Sequence, residues 1–228
     1  MTLELALGEV GLSEEAQQQL AAAAEQVNLA AEVRLVILRS RVRDFCRGGD
    51  AQSAVDGIAA IAAIRVPVIA VLQGRVLDEG LELALAADLR IASKATRLGM
   101  TQVIRGELPC HGGTQRLPRL IGRGTATRML LFGETLTARQ AEKHGLVTEV
   151  VDPAMLARRV RAVAQKVVSR GPLAQKLAKE ALLAAGDLPL AEGLRLEGDL
   201  YVLSQDSEDR AEGLLSFREK RQPRYRGR

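Results

Sequence analysis

Glu82 stands in the run Gly80-Leu81-Glu82-Leu83-Ala84-Leu85, a single carboxylate walled by leucines. Burial among such neighbours disfavours the charged form and lifts a carboxyl pKa toward the range where it can both take and give a proton. The plainer alternative, which composition alone would favour, is a solvated glutamate on an amphipathic helix. Gly48-Gly49 offers a second kind of chemistry, because paired glycines permit positive φ and let the backbone approach a ligand closely. Cys110-His111 is a third candidate: a thiol becomes nucleophilic when an imidazole or a helix N-terminus lowers its pKa, although a small buried cysteine is the simpler reading. His111 itself could move protons, but one loop histidine is weak evidence. Two cysteines without a CxxC spacing and two histidines give neither a metal cluster nor a disulfide framework.

These residues need elements to place them. Val68-Ile69-Ala70-Val71-Leu72 is a short β-branched run opened by Pro67 and closed by Gln73-Gly74, which reads as a buried strand with Gly74 in the exit turn. Leu77, Leu81, Leu83, Ala84, Leu85 and Ala87 then repeat at helical spacing, with Asp78-Glu79 in the first turn, where acidic side chains suit the positive end of a helix. Leu35-Val36-Ile37-Leu38 is another strand run, leading into Phe45-Cys46-Arg47-Gly48-Gly49-Asp50. Two strand ends followed by backbone N–H groups could converge on one carbonyl oxygen and stabilise an oxyanion such as the enolate of a thioester.

The stretch from Pro67 to Asp88, the stretch from Leu98 to Leu117 with Gly112-Gly113-Thr114-Gln115-Arg116-Leu117, the pair Ile121-Gly122, the segments Thr137-Ala138-Arg139-Gln140-Ala141 and Gly145-Leu146-Val147, and the tail Phe217-Arg218-Glu219-Lys220-Arg221-Gln222-Pro223 occur in one order. Together they resemble the enoyl-CoA hydratase/isomerase (crotonase) superfamily from around Ala30 to the C-terminus. The resemblance implies an α/β fold, a right-handed spiral of repeated strand/helix turns over residues 1–168, and a helical C-terminal oligomerisation segment over 169–228. It implies Glu82 as the main acid/base and the Gly49 and Glu79 backbone N–H groups as the oxyanion hole. Arg47, Gly48, Asp50, Gly74, Gly80 and Lys220 would contact substrate, with Asp50 also matching a helix-capping aspartate. The sequence departs from the family pattern at two places. Gln102 holds the position of the second glutamate, and an amide can orient water but cannot transfer a proton near neutral pH. Asp78-Glu79 replaces two glycines at the oxyanion hole, placing negative charge where an enolate would form. Glu107, five residues after Gln102, and Cys110, where some relatives hold a catalytic aspartate, are the substitutes on offer.

The 228 residues fit one medium domain with a sizeable core, and 47% hydrophobic and 26% charged residues are ordinary for a globular chain. No apolar run reaches the length of a membrane span, and Met1-Thr2-Leu3-Glu4 resembles no targeting segment, so the expected address is the cytoplasm. Residues 2–7 read as one edge strand, where relatives usually have a hairpin. Ser13 before Glu14-Glu15 reads as a helix N-cap without a complete capping box, since Ala16 holds the reciprocal position. Only one short helical pattern, around Ala54, Ile58, Ile61 and Ala62, lies between Asp50 and Pro67, which implies a shortened lid over the acyl pocket. Strands follow at 88–92 and 96–99. Helices are expected over 125–132, 137–143, 153–169, 172–185, 190–203 and 207–220.

The net charge of +4 is concentrated in a tail with Arg218, Lys220, Arg221, Arg224, Arg226 and Arg228, which would suit the polyphosphate of coenzyme A or simply be solvated. The expected partner is an acyl-CoA thioester, with coenzyme A present only as part of the substrate and no other cofactor, and the expected assembly is a homotrimer or a dimer of trimers. The reaction implied is hydration of a 2-enoyl-CoA or a related lyase or isomerase reaction. A different class of reading is a catalytically quiet acyl-CoA binder or assembly subunit. RNA binding, known for one relative, ranks last: residues 13–32 contain no lysine or arginine, and 2% aromatic residues leave little for base stacking.

Overall fold

The computed structural model describes residues 1–8, 11–49 and 54–228. Asp50 lies outside the described residues. The chain runs β1 (Thr2–Leu7), α1 (Glu14–Leu29), β2 (Leu35–Ser40), α2 (Gly57–Ala62), β3 (Val68–Leu72), β4 (Arg75–Leu77), α3 (Glu79–Ala86), β5 (Leu89–Ser93) and β6 (Arg97–Gly99). A 3-10 turn at Gln102–Arg105 leads to α4 (Gly113–Ile121), α5 (Arg123–Phe132), β7 (Thr135–Thr137), α6 (Ala138–Lys143) and β8 (Glu149–Val151). Four helices finish the chain: α7 (Leu156–Val168), α8 (Pro172–Ala184), α9 (Leu190–Gln205) and α10 (Glu208–Arg218).

Why the strands read as unbroken apolar runs is visible in the layers. β1, β2, β3, β5 and β8 form one parallel sheet in that order. Val36, Leu38, Val68, Ala70 and Leu72 enter the main core with Leu20 and Val27 of α1, Ile58 and Ile61 of α2, and Leu81 and Leu83 of α3. Their alternating neighbours Leu35, Ile37, Ile69, Val71 and Ile91 face the other way, onto Leu156, Val160 and Ala164 of α7. A parallel sheet covered on both faces has no polar side to show. A smaller sheet of β4, β6 and β7 pairs β4 with β6 in parallel and β6 with β7 antiparallel.

The Ser13 cap forms as expected, its hydroxyl accepting from Ala16 N–H at 3.2 Å. Other expectations need correction. Leu77 ends strand β4 rather than opening the helix, and the helix begins at Glu79. β4 exists because its register on β6 and the Leu77 N–H to Cys46 carbonyl bond (2.9 Å) satisfy a segment too short to show periodicity. The Gly112-Gly113 turn opens a full helix, α4. The basic tail is not a free tip: Arg221 pairs with Glu212 and Glu219 at 2.6 Å each, Arg228 pairs with Glu208, and Asp209 accepts the Arg226 and Gly227 N–H groups. The C-terminal helices are tied to the sheet by Lys179 of α8, whose ammonium donates to the Val66 carbonyl (3.0 Å) and to Asp88 Oδ2 (2.7 Å).

Candidate functional site

α3 carries the site and is fixed at both ends. At its start Asp78 has φ 54° and ψ −123°, a conformation that favours glycine. Its buried carboxylate is held there by the Thr101 N–H and hydroxyl and by Arg105 at 3.1 Å, contacts that offset the strain of the backbone. At its end the buried Arg90 guanidinium donates to the Ala84, Ala87 and Leu146 carbonyls, a cation on the negative pole of the helix. Desolvation brings the Arg90 pKa down to about 10.

Glu82, fully buried one turn into α3, has its two oxygens in different situations. Oε1 accepts the His111 N–H at 2.8 Å and the Gly113 N–H at 2.7 Å. Oε2 is buried with no hydrogen-bond partner among the described residues. A Cβ at position 113 would stand 3.0 Å from Oε1, so the approach of the α4 N-terminus requires glycine. Arg116 fixes that loop by donating to the His111 carbonyl at 2.7 Å. Desolvation raises the Glu82 pKa above the ordinary carboxylate value, and the Gly113 and His111 amides oppose the rise.

The two amides nominated as an oxyanion hole both lie near enough to the Glu79 side chain to act on its carboxyl. The Gly49 N–H and the N–H of Glu79 itself both act on the Glu79 carboxyl and favour its ionised form, against a larger desolvation effect that raises its pKa. This carboxyl is 4% exposed, and its Oε2 has no hydrogen-bond partner among the described residues. Oε2 lies 3.2 Å from where a Cβ on Gly48 would be, and Gly48 has φ 125°. The loop is clamped on both sides. Leu12 N–H donates to the Gly48 carbonyl at 2.8 Å, while a Cβ at Gly80 would come within 2.4 Å of the Cys46 carbonyl oxygen.

The remaining candidates divide. Gln102 is buried, its amide atoms have no partner among the described residues, and it follows Thr101, which grips Asp78. Cys110 is exposed, which corrects the reading of a buried cysteine, and its thiol pKa is raised, first by desolvation and then by the nearby Glu82, Glu79 and Asp56 charges. That is the opposite of what an activated thiolate needs. Glu107 is an exposed surface carboxylate ion-paired with Arg105 at 2.7 Å. Arg47 is exposed and paired with Asp44. Gly74 sits in the β3–β4 turn, where a Cβ would meet Asp44. Lys220 is exposed beyond α10, in the C-terminal helical segment. Cys46 is core, with a thiol pushed up to about 11 by burial.

The His111 ring nitrogens have other partners: Nδ1 is 3.2 Å from Asp56 Oδ1 and Nε2 is 3.5 Å from Gln17 Nε2. Because Gln17 Oε1 accepts the Gly57 N–H, its Nε2 can only donate, so His111 Nε2 accepts and Nδ1 carries the hydrogen. Gln17, Asp56, Thr101 and Arg105 are contributors that no motif in the sequence announced.

Residues 9–228 match the family described as enoyl-CoA hydratase/isomerase. The chain belongs to this family. Among enoyl-CoA hydratase/isomerase relatives, the (E)-benzylidenesuccinyl-CoA hydratase of Thauera aromatica is 36% identical over 211 residues, covering 86% of this chain and 82% of that protein. The mitochondrial methylglutaconyl-CoA hydratase of Rattus norvegicus is 34% identical over 242 residues, covering 97% and 77%. In three dimensions the enoyl-CoA hydratase of Bacillus anthracis superposes with a TM-score of 0.93 at 34% identity, covering all of this chain and 96% of that one. The crotonase fold expected from the motifs is the fold observed, although the role of residues 169–228 in assembly is a separate matter.

Proposed function

We propose that this protein acts on a CoA thioester as an enoyl-CoA hydratase/isomerase-type enzyme, with hydration of a 2-enoyl-CoA as the reaction its geometry supports best. One observation carries the reading. Of the five buried side-chain polar atoms without partners among the described residues, four belong to Glu79, Glu82 and Gln102. Buried polar atoms are normally satisfied, and a cluster of exceptions marks where a ligand supplies the missing contacts. In this reading Glu82 Oε2 takes a proton from water while Oε1 stays anchored to two amides, and the Gly49 and Glu79 N–H groups polarise the thioester carbonyl. Arg47, Arg75 and Arg105 border a groove of about 410 Å³ beside Asp78 and Thr101, a setting that suits the phosphates of coenzyme A.

Conversion of crotonyl-CoA, followed by loss of the enoyl thioester absorbance, tests this. Glu82→Gln keeps the shape and removes the base, so turnover should fall about a thousandfold with little change in KM. Because the charged form of Glu82 is the base and burial raises its pKa, the rate of the wild type should climb with pH through that raised value. Equal turnover by wild type and Glu82→Gln sinks the assignment. The runner-up reading, an acyl-CoA binder without turnover, rests on Gln102 and on the carboxyl lying in the oxyanion site. Thioester binding with no conversion across a broad panel of acyl groups would favour it. Assembly as a homotrimer or a dimer of trimers is part of the proposal, supported by the exposed Leu182, Leu183, Leu190, Leu194, Tyr201 and Phe217 of the C-terminal helices.

A further inference from the structure

The site holds a carboxyl where a substrate oxygen would have to bind. Glu79 supplies one of the two amides, and its own carboxyl lies against the loop that carries the other. Its burial, the unpartnered Oε2, and the 3.2 Å spacing from the Cβ position of Gly48 place that group inside the loop–helix junction rather than in solvent. We propose that the Glu79 carboxyl is an internal occupant of the oxyanion cradle, which a thioester oxygen must displace in order to bind. The proposal rests on the acyl-CoA reading above and adds to it a positioning residue that controls access of the carbonyl to its donors.

Displacement has a proton consequence. In the free protein the two amides favour the carboxylate, as does Arg105 from the 3-10 turn. Asp78 opposes it from the same helix end, and Glu82, one turn on, and Cys46 and Cys110, from the flanking loops, also interact electrostatically with it. When a thioester oxygen takes the amides, Glu79 loses its stabilising donors, stays desolvated, and gains a partial negative charge beside it. Each change favours the neutral acid. Thioester binding is therefore coupled to proton uptake, and affinity should fall as pH rises through the pKa of Glu79 in the free protein. This is opposite in sign to the pH dependence set by Glu82 as a base.

Two measurements on the full chain test the proposal, with wild type, Glu79→Gln and Glu79→Gly. Without ligand, the Gly49 amide resonance should follow a titration in wild type and stay flat in both variants. With butyryl-CoA, a saturated thioester that cannot be hydrated, calorimetry in buffers of different ionisation heat should show proton uptake in wild type only. Glu79→Gly, which frees both amides, should bind roughly tenfold tighter or better. A Gly49 amide that ignores pH in wild type overturns the proposal, as does equal butyryl-CoA affinity with proton uptake persisting in Glu79→Gln. A titrating amide with no butyryl-CoA bound by any of the three proteins supports the occupied cradle and sinks the acyl-CoA reading instead.

Discussion

At the scale of single residues, the site is a two-carboxyl arrangement that differs from the one its family motifs imply. Glu82 is where the resemblance placed it, buried and anchored by two amides. The other position carries Gln102, whose amide atoms find no partner among the described residues. An amide there can hold water or a substrate oxygen but cannot transfer a proton, so in the proposed hydration the proton transfers that the resemblance gives to two groups would fall on Glu82. Gln102→Glu should therefore raise crotonyl-CoA hydration by about a hundredfold, the usual worth of one general acid or base. Initial rates at saturating substrate would show it. If the rate does not change, Gln102 is not a weakened acid/base position, and the site is built for a reaction needing only one carboxylate.

The helix α3 and the Cys46–Gly49 loop form the smallest unit that makes sense as an element. Their approach is set by Gly80, where an added Cβ would sit 2.4 Å from the Cys46 carbonyl oxygen and 2.7 Å from its Cβ. Two effects compete in Gly80→Ala. Helix propensity favours alanine by up to about 1 kcal/mol, whereas overpacking against rigid backbone costs about 1–3 kcal/mol. The neighbour is backbone carbonyl in a buried loop, so the clash should win, lowering the unfolding midpoint and cutting turnover as the Gly49 amide moves off its target. Thermal unfolding monitored with activity checks this, and an unchanged or raised midpoint with full activity would show that the loop yields freely.

The same unit shows what the sequence could and could not disclose. The β3 run, the turn at Gly74 and the helical spacing after it were legible because burial on both faces and a 3.6-residue period leave marks in side-chain type. The position of Glu82 was legible because one carboxylate among leucines is conspicuous. What the Glu79 side chain does was not, since a carboxyl near a helix start looks the same whether it points to water or folds back onto its own amide. Nor was the φ of Asp78, an expensive conformation whose compensation comes from Thr101 and Arg105, more than twenty residues away in the chain. β4 and β7, three residues each, are too short to carry a period at all.

For the molecule as a whole, the question is what makes the helical last third part of the same folded unit as the sheet that bears the site. Besides the packing of α7 on the sheet, a buried polar contact ties α8 to it. The Lys179 ammonium, 8% exposed, reaches from α8 to Asp88 Oδ2 and the Val66 carbonyl, and Asp88 Oδ2 also accepts the Val68 N–H at 2.7 Å, at the start of β3. A buried pair adds little over a well-packed apolar replacement, but breaking it leaves one charge without its partner. Lys179→Met should thus cost about 3 kcal/mol. Adding Asp88→Asn, which removes the stranded charge and keeps an oxygen for the Val68 N–H, should recover more than half of that loss. Urea unfolding of the two single variants and the double variant gives the coupling directly. A cost for Lys179→Met under about 1 kcal/mol, in the range of solvent-screened pairs, would mean that this ion pair does not hold the C-terminal helices to the sheet. The β3–α3 unit would then keep its geometry without it.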